Sequence, residues 1–138
     1  MTSEMPEFSN WKDAWEWHAA QIHQDYSRRS VAELLGLIRN RQYDPYYSIW
    51  YALRETGSLA ECAPTLLEVL RREAGESLML VRYHCAAALF YLLGYPDDPI
   101  PTLRERVQWD HQGEAARQAA LDELAALVAQ HLSPANPA

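Results

Sequence analysis

The groups in this 138-residue sequence with chemistry to offer are five histidines, two cysteines and several carboxylate pairs. Spacing decides what each can do. His18 and His23 stand five apart, so on a helix their side chains diverge, whereas helical zinc ligands stand four apart. His84 and Cys85 are adjacent and point to different faces. Cys62 and Cys85 have no CxxC spacing and lie inside apolar helical patterns, which suits buried free thiols. There is no GxSxG elbow and no glycine-rich phosphate loop, and only five glycines are present. Asp97 and Asp98 sit in a proline-bordered turn, where acidic residues act as turn formers, and Asp122-Glu123 and Glu73 with Glu76 read as solvated helix ends or faces. Catalytic carboxylates would need a cleft and a raised pKa on one member. The expectation is a protein without enzymatic activity, cofactor or metal.

Charge points the same way. The formal net charge is −7, and Lys12 is the only lysine. Such a chain repels phosphate backbones, so nucleic acid is not an expected partner. The basic clusters Arg28-Arg29, Arg39 with Arg41, and Arg71-Arg72 lie among acids and read as solvated helix faces. The acidic balance suits a basic protein partner. The longest apolar stretch, Cys85 to Leu93, is far shorter than the roughly 20 residues of a membrane span. Residues 1–10 carry Glu4 and Glu7 with no apolar h-region after them. A cytoplasmic location without membrane contact is expected.

The elements that would position these residues are helices. Residues 1–9 read as a flexible N-terminus, 10–132 as one helical domain and 133–138 as a flexible tail. A first helix from Trp11 to about Tyr26 is capped by Asn10. A second follows the capping-box pair Ser30 and Glu33 and stops near Tyr43-Asp44-Pro45. A third, about 46–55, ends at Gly57; a fourth runs to Glu73, with Ser58 and Glu61 favouring a start at Leu59 over one at Cys62. Further helices fall at about 78–93, 101–109 and 114–131, separated at Gly94-Tyr-Pro-Asp-Asp-Pro99. No segment alternates with the period of a strand.

Laid over one another, these helices repeat. Arg82, Cys85, Ala86, Leu89 and Leu92 recur 35 residues later as Arg117, Ala120, Leu121, Leu124 and Leu127, and Ile49-Trp50-Tyr51-Ala52-Leu53 precedes them at an offset of 36. Pro64-Thr65-Leu66 with Glu68 recurs as Pro101-Thr102-Leu103 with Glu105. One period for two sets of helices indicates a helical-hairpin solenoid. The pattern resembles the HEAT-repeat family of the PBS-lyase type: an arginine, two small residues three and four later, two leucines, then the glycine Gly94. The resemblance covers about residues 44–130. It departs where Ile49-Trp50 replaces the small pair and where Pro99-Ile-Pro101 shortens a helix. It implies an all-α fold, a short α-solenoid of about three to four stacked antiparallel helix pairs. For function it is nearly silent, since such repeats serve scaffolds, inhibitors and some enzymes alike.

In such a solenoid the second helix of each pair lines a concave, protein-binding face. That places Glu61, Thr65, Glu68 and Arg72 in one polar stripe and Glu33, Gly36 and Asn40 in its neighbour, with Asp97 and Asp98 on one edge and Asp44, Glu76 and Asp110 on the other. The polar face of the last helix, with Glu114, Arg117, Asp122 and Glu123, would close the far end. Eight tyrosines and five tryptophans against two phenylalanines favour an interface, because they join apolar area to a polar handle. Trp15, Trp50 and Tyr83 are assigned to the core; Trp17, Tyr43, Tyr95 and Trp109 are the expected exposed anchors. The expected partner-binding set is therefore Glu33, Glu61, Glu68, Arg72, Asp97, Asp98, Tyr95, Trp109 and Tyr43. The functional expectation is a protein-binding module, most specifically an immunity protein that neutralises a cognate, basic toxin. The alternatives are an adaptor or assembly chaperone and, needing a basic aromatic groove, a HEAT-like DNA glycosylase-type enzyme.

Overall fold

The computed structural model describes residues 6–95 and 103–133, so Asp97 and Asp98 lie outside the described residues. Seven α-helices follow in order: α1 Trp11–Ser27, α2 Val31–Arg39, α3 Ser48–Thr56, α4 Leu59–Arg72, α5 Met79–Leu92, α6 Leu103–Gln108 and α7 Glu114–Leu132. A single 3-10 turn, Glu76–Leu78, leads into α5, and no strand occurs among the described residues. The helices start where local chemistry tells them to. Asn10 accepts from the Asp13 amide at 2.9 Å, and Ser30–Glu33 and Ser58–Glu61 form complete capping boxes at α2 and α4. The acid of α3 is Asp44, three residues before the cap, and it accepts from the amides of Tyr46, Ser48 and Ile49 at 2.9–3.1 Å. Asp44 is thus buried at a helix N-terminus instead of standing on an acidic edge.

Ends are equally specific. Gly94 takes φ 87° after α5, the left-handed conformation that glycine enters without penalty. Gly57 is needed for another reason. Its φ is ordinary, but a Cβ there would come within 2.5 Å of Cys62 Sγ and 2.8 Å of the Leu53 carbonyl oxygen. The close approach makes the turn from α3 into α4 tight.

α3 packs between α1 and α5, and α4 touches α2, α5 and α7. A strict stack would pair α4 with α6 and α5 with α7. Instead α7 lies along α4, and α6 packs on α5 and α7. Between these elements the core holds Leu34, Ile38, Ile49, Trp50, Leu53, Leu66, Leu70, Leu89 and Leu121, all essentially inaccessible. Cys85, Ala86 and Ala88 face it from α5, where small side chains let helices approach. Burial lifts the Cys62 thiol to about 11 and drives Cys85 higher still, so both stay protonated and unreactive.

Two arginines belong to this interior. Arg82 donates to the carbonyls of Glu73, Gly75 and Gln108, and Arg117 to those of Leu70 and Val107. Each therefore ties the C-terminal end of α4 to that of α6, where orphan carbonyls and the helix dipole favour a cation. Arg117 is 1% exposed, so it does not contribute to a polar end face. The acids of α7 are paired: Glu114 with Arg117, and the exposed Asp122 with Arg71 at 2.8 Å and Glu123 with Arg106.

Candidate functional site

The residues left over once folding is satisfied stand on the outer faces of α3 and α5. Positions 47, 51 and 54 share one side of α3, opposite buried Ile49, Ala52 and Leu53. Positions 80, 83, 84, 87 and 91 share the side of α5 opposite Cys85, Ala86 and Leu89. Because α3 and α5 are neighbours, these two rows meet. Tyr47 stacks on His84 with centroids 4.1 Å apart and planes within 12°. Tyr51 and Tyr83 meet the same imidazole edge-on at 6.2 and 5.0 Å. Arg54 lies over the rings of Tyr51 and Tyr91, at 5.2 and 4.4 Å, and Arg104 lies over Tyr83 at 5.3 Å.

This surface is apolar, aromatic and locally cationic, on a chain of net charge −7. Tyr51, Tyr83, Tyr91 and Leu80 keep 43–49% of their area in water. Burial holds the His84 imidazole below its ordinary value; Asp44 pulls it up, and Arg104 and Arg54 add to the lowering. His84 is therefore neutral at pH 7 and packs as a ring instead of repelling the two guanidiniums. Nearby, Trp15 of α1 meets Tyr46 edge-on at 4.4 Å and remains 46% exposed, while Trp11 is 79% exposed.

Residues expected to bind a partner fare differently. Glu33 and Glu61 are exposed, yet each carboxylate is engaged as the acid of a capping box. Glu68 is exposed and lies 3.6 Å from Arg72. Arg72 is mostly buried and structural: it donates to the carbonyls of Ile38 and Arg39, to the Tyr43 hydroxyl at 2.8 Å and to Glu73 at 3.2 Å. Tyr43 is half-buried, tilted against Trp50 at 5.5 Å, so it is a packing residue and not an exposed anchor. Tyr95 is half-buried, its hydroxyl 2.9 Å from His131 Nε2. Trp17 and Trp109 are half-buried as well. Structure thus gathers Glu68, Arg72 and Tyr43 and leaves Glu33, Glu61, Tyr95 and Trp109 apart from them. Thr65, expected in the polar stripe, is buried. Trp50 is core as expected, whereas Trp15 and Tyr83 are surface residues: α1 buries Tyr26 instead, and α5 turns Cys85, Ala86 and Ala88 inward.

Sequence reasoning passed over Tyr47, Tyr51, Arg54, His84 and Tyr91. The signal was present: aromatic and basic residues at helical spacing on the side opposite the small-residue row of α5.

A second concavity, about 430 Å³, lies between α6 and α7 and is lined by Glu105, Arg106, Trp109, His111, Gln112 and Ala116 among others. Trp109 and His111 stack there at 5.2 Å, but its arginines are engaged, Arg106 by Glu123 and Arg117 by Glu114. Among the described residues no three His, Cys, Asp or Glu side chains gather as metal ligands would, and no helix is long and apolar enough to cross a membrane. No protein-family model, curated protein or solved structure matches the chain.

Proposed function

We propose that the protein is a non-enzymatic binding module that docks another protein through the tyrosine–arginine face of α3 and α5. The observation that carries this reading is the cluster itself. Single exposed aromatics are ordinary, but Tyr47, Tyr51 and Tyr83 stand together around His84, and two arginines lie on the rings of Tyr51, Tyr91 and Tyr83. Tyrosine and arginine are the residues that anchor interfaces. The helices are read as a HEAT-like succession in which α1, α3 and α5 form one layer and α2 and α4 the other, with α6 and α7 closing the end; the neighbour relations α1–α3–α5 and α2–α4 support this. The most specific form of the reading is an immunity protein holding a cognate toxin, supported by small size and a net charge of −7. In this reading the docking surface is the aromatic face and not the acids, which is supported by the engagement of Glu33, Glu61 and Glu68 in caps and an ion pair.

An affinity capture compares three forms of the chain. Wild type and the Glu33→Gln/Glu61→Gln variant, which keeps both capping boxes, should retain the same stoichiometric partner. Tyr51→Ser/Tyr83→Ser/Tyr91→Ser should lose it. Loss in the glutamine variant with retention in the serine variant would return the site to the acidic stripe. A toxic partner would be recognised by growth rescue on co-expression with wild type and not with the serine variant.

A further inference from the structure

We infer that the segment docked on this face is acidic: a partner carboxylate sits on the guanidinium of Arg54, and an adjoining proline or aromatic ring lies against the exposed rings of Tyr51 and Tyr83. This rests on the docking reading above and names the chemistry of the partner.

The arginines of the chain divide by what holds them. Arg29, Arg41, Arg71 and Arg106 each meet a carboxylate, as does Arg72; Arg82 is held by carbonyls, and Arg117 by carbonyls and Glu114 together. Arg54 is different. It is half-buried, fixed by two tyrosine rings, and makes neither an ion pair nor a hydrogen bond to any described residue. Arg28 and Arg39 also lack a carboxylate, but they are exposed and no ring holds them. A guanidinium clamped over ring faces has already lost its rotamer freedom and still presents its N–H fork at the edge, where a carboxylate binds in a bidentate manner. Arg104 over Tyr83 adds a second positive charge to the same face.

Local charge therefore calls for an acidic occupant, and the exposed rings call for an apolar one beside it. The exposed rings of Tyr51 and Tyr83 offer faces of the type that receives proline or aromatic side chains. A long polyanion is disfavoured by the field of a chain at −7, whereas a short acidic segment matches the single guanidinium of Arg54.

The test uses the full chain, immobilised, with a random 12-mer peptide library displayed on phage. Selected peptides are then labelled with fluorescein and measured by anisotropy. Enriched peptides should carry Asp or Glu next to proline or an aromatic residue. Arg54→Met, which keeps the apolar stem, should weaken them about tenfold or more, and Arg54→Lys should fall between. Tyr51→Ser and Tyr83→Ser should weaken them too, with circular dichroism confirming that every variant is folded. Peptides lost in the tyrosine variants but unchanged in Arg54→Met, or enriched without acids, would overturn the acidic assignment and leave the docking face standing. Peptides indifferent to Tyr51 and Tyr83, or no enrichment, would overturn both. Arg54-dependent binding of a fluorescein-labelled 20-mer oligothymidine would assign the face to nucleic acid and also overturn the inference.

Discussion

At the C-terminal ends of α4 and α6, Arg82 and Arg117 are sealed from water; Arg82 spends its donors on backbone carbonyls, and Arg117 divides its own between carbonyls and the Glu114 carboxylate. On the outer face of α3 and α5, Arg54 lies half in water on two tyrosine rings, with no hydrogen-bond acceptor among the described residues. The residue type is the same and the local sequence gives little warning of the difference. What separates the two is the state of the acceptors nearby. Orphan carbonyls at helix ends consume the buried arginines, while the outer face supplies only π-electrons, which hold a guanidinium without using its N–H groups. A saturated arginine stabilises the fold, and an unsaturated but immobilised one is poised to bind.

The sharpest way to break this comparison is to truncate one arginine of each kind. Arg82→Met should cost about 3 kcal/mol in urea unfolding, because it strands three carbonyls at the α4–α6 junction. Arg54→Met should cost less than about 0.5 kcal/mol. Equal losses would mean that Arg54 is structural too. Next in size, Gly57→Ala forces a methyl against Cys62 Sγ and the Leu53 carbonyl and should lower stability by about 2 kcal/mol. An unchanged midpoint would show that the α3–α4 turn relaxes freely and does not fix the aromatic face.

A smaller effect is expected from pH. Burial holds His84 below its ordinary value, so the unfolded chain takes up the proton first. The stability that His84 contributes is present above the unfolded pKa near 6.5 and is lost as pH falls from there through the folded value. His84→Gln should flatten that limb of the pH–stability curve. An imidazole NMR titration of His84 at or above 6.5 in the folded protein would contradict the expectation. Smallest of all, Tyr91→Ser should change the unfolding free energy by no more than about 0.5 kcal/mol, since the ring is half exposed and touches Arg54 instead of the core. A loss of several times that size would place Tyr91 in the packing and weaken its assignment as an anchor.

Helix boundaries were legible in the residues because they rest on local chemistry. Asn10, Ser30 with Glu33, Ser58 with Glu61, Gly57 and Gly94 each act within a few residues of themselves, and each stands at the expected start or stop. The candidate site was only half legible. Tyrosine enrichment announced an interface, yet the expected anchors Tyr43, Tyr95 and Trp109 turned out half-buried, and Tyr83 moved from the assumed core to the surface. An aromatic residue is at home in either place, and periodicity alone does not choose between two faces of a helix as apolar as α5.

By itself, then, the sequence determined the all-helical character, the element order and the start of each capped helix, since those depend on hydrogen bonds between near neighbours. Tertiary structure decided which face of α5 is inside, that α7 rests on α4, and that Asp44, Arg82 and Arg117 serve the fold while Arg54 does not. These outcomes depend on which carbonyls, amides and rings arrive beside a side chain from elements up to 47 residues away, as with Arg117 and the Leu70 carbonyl. No local rule carries that information, because a polar group's role is fixed by the partners that folding brings to it.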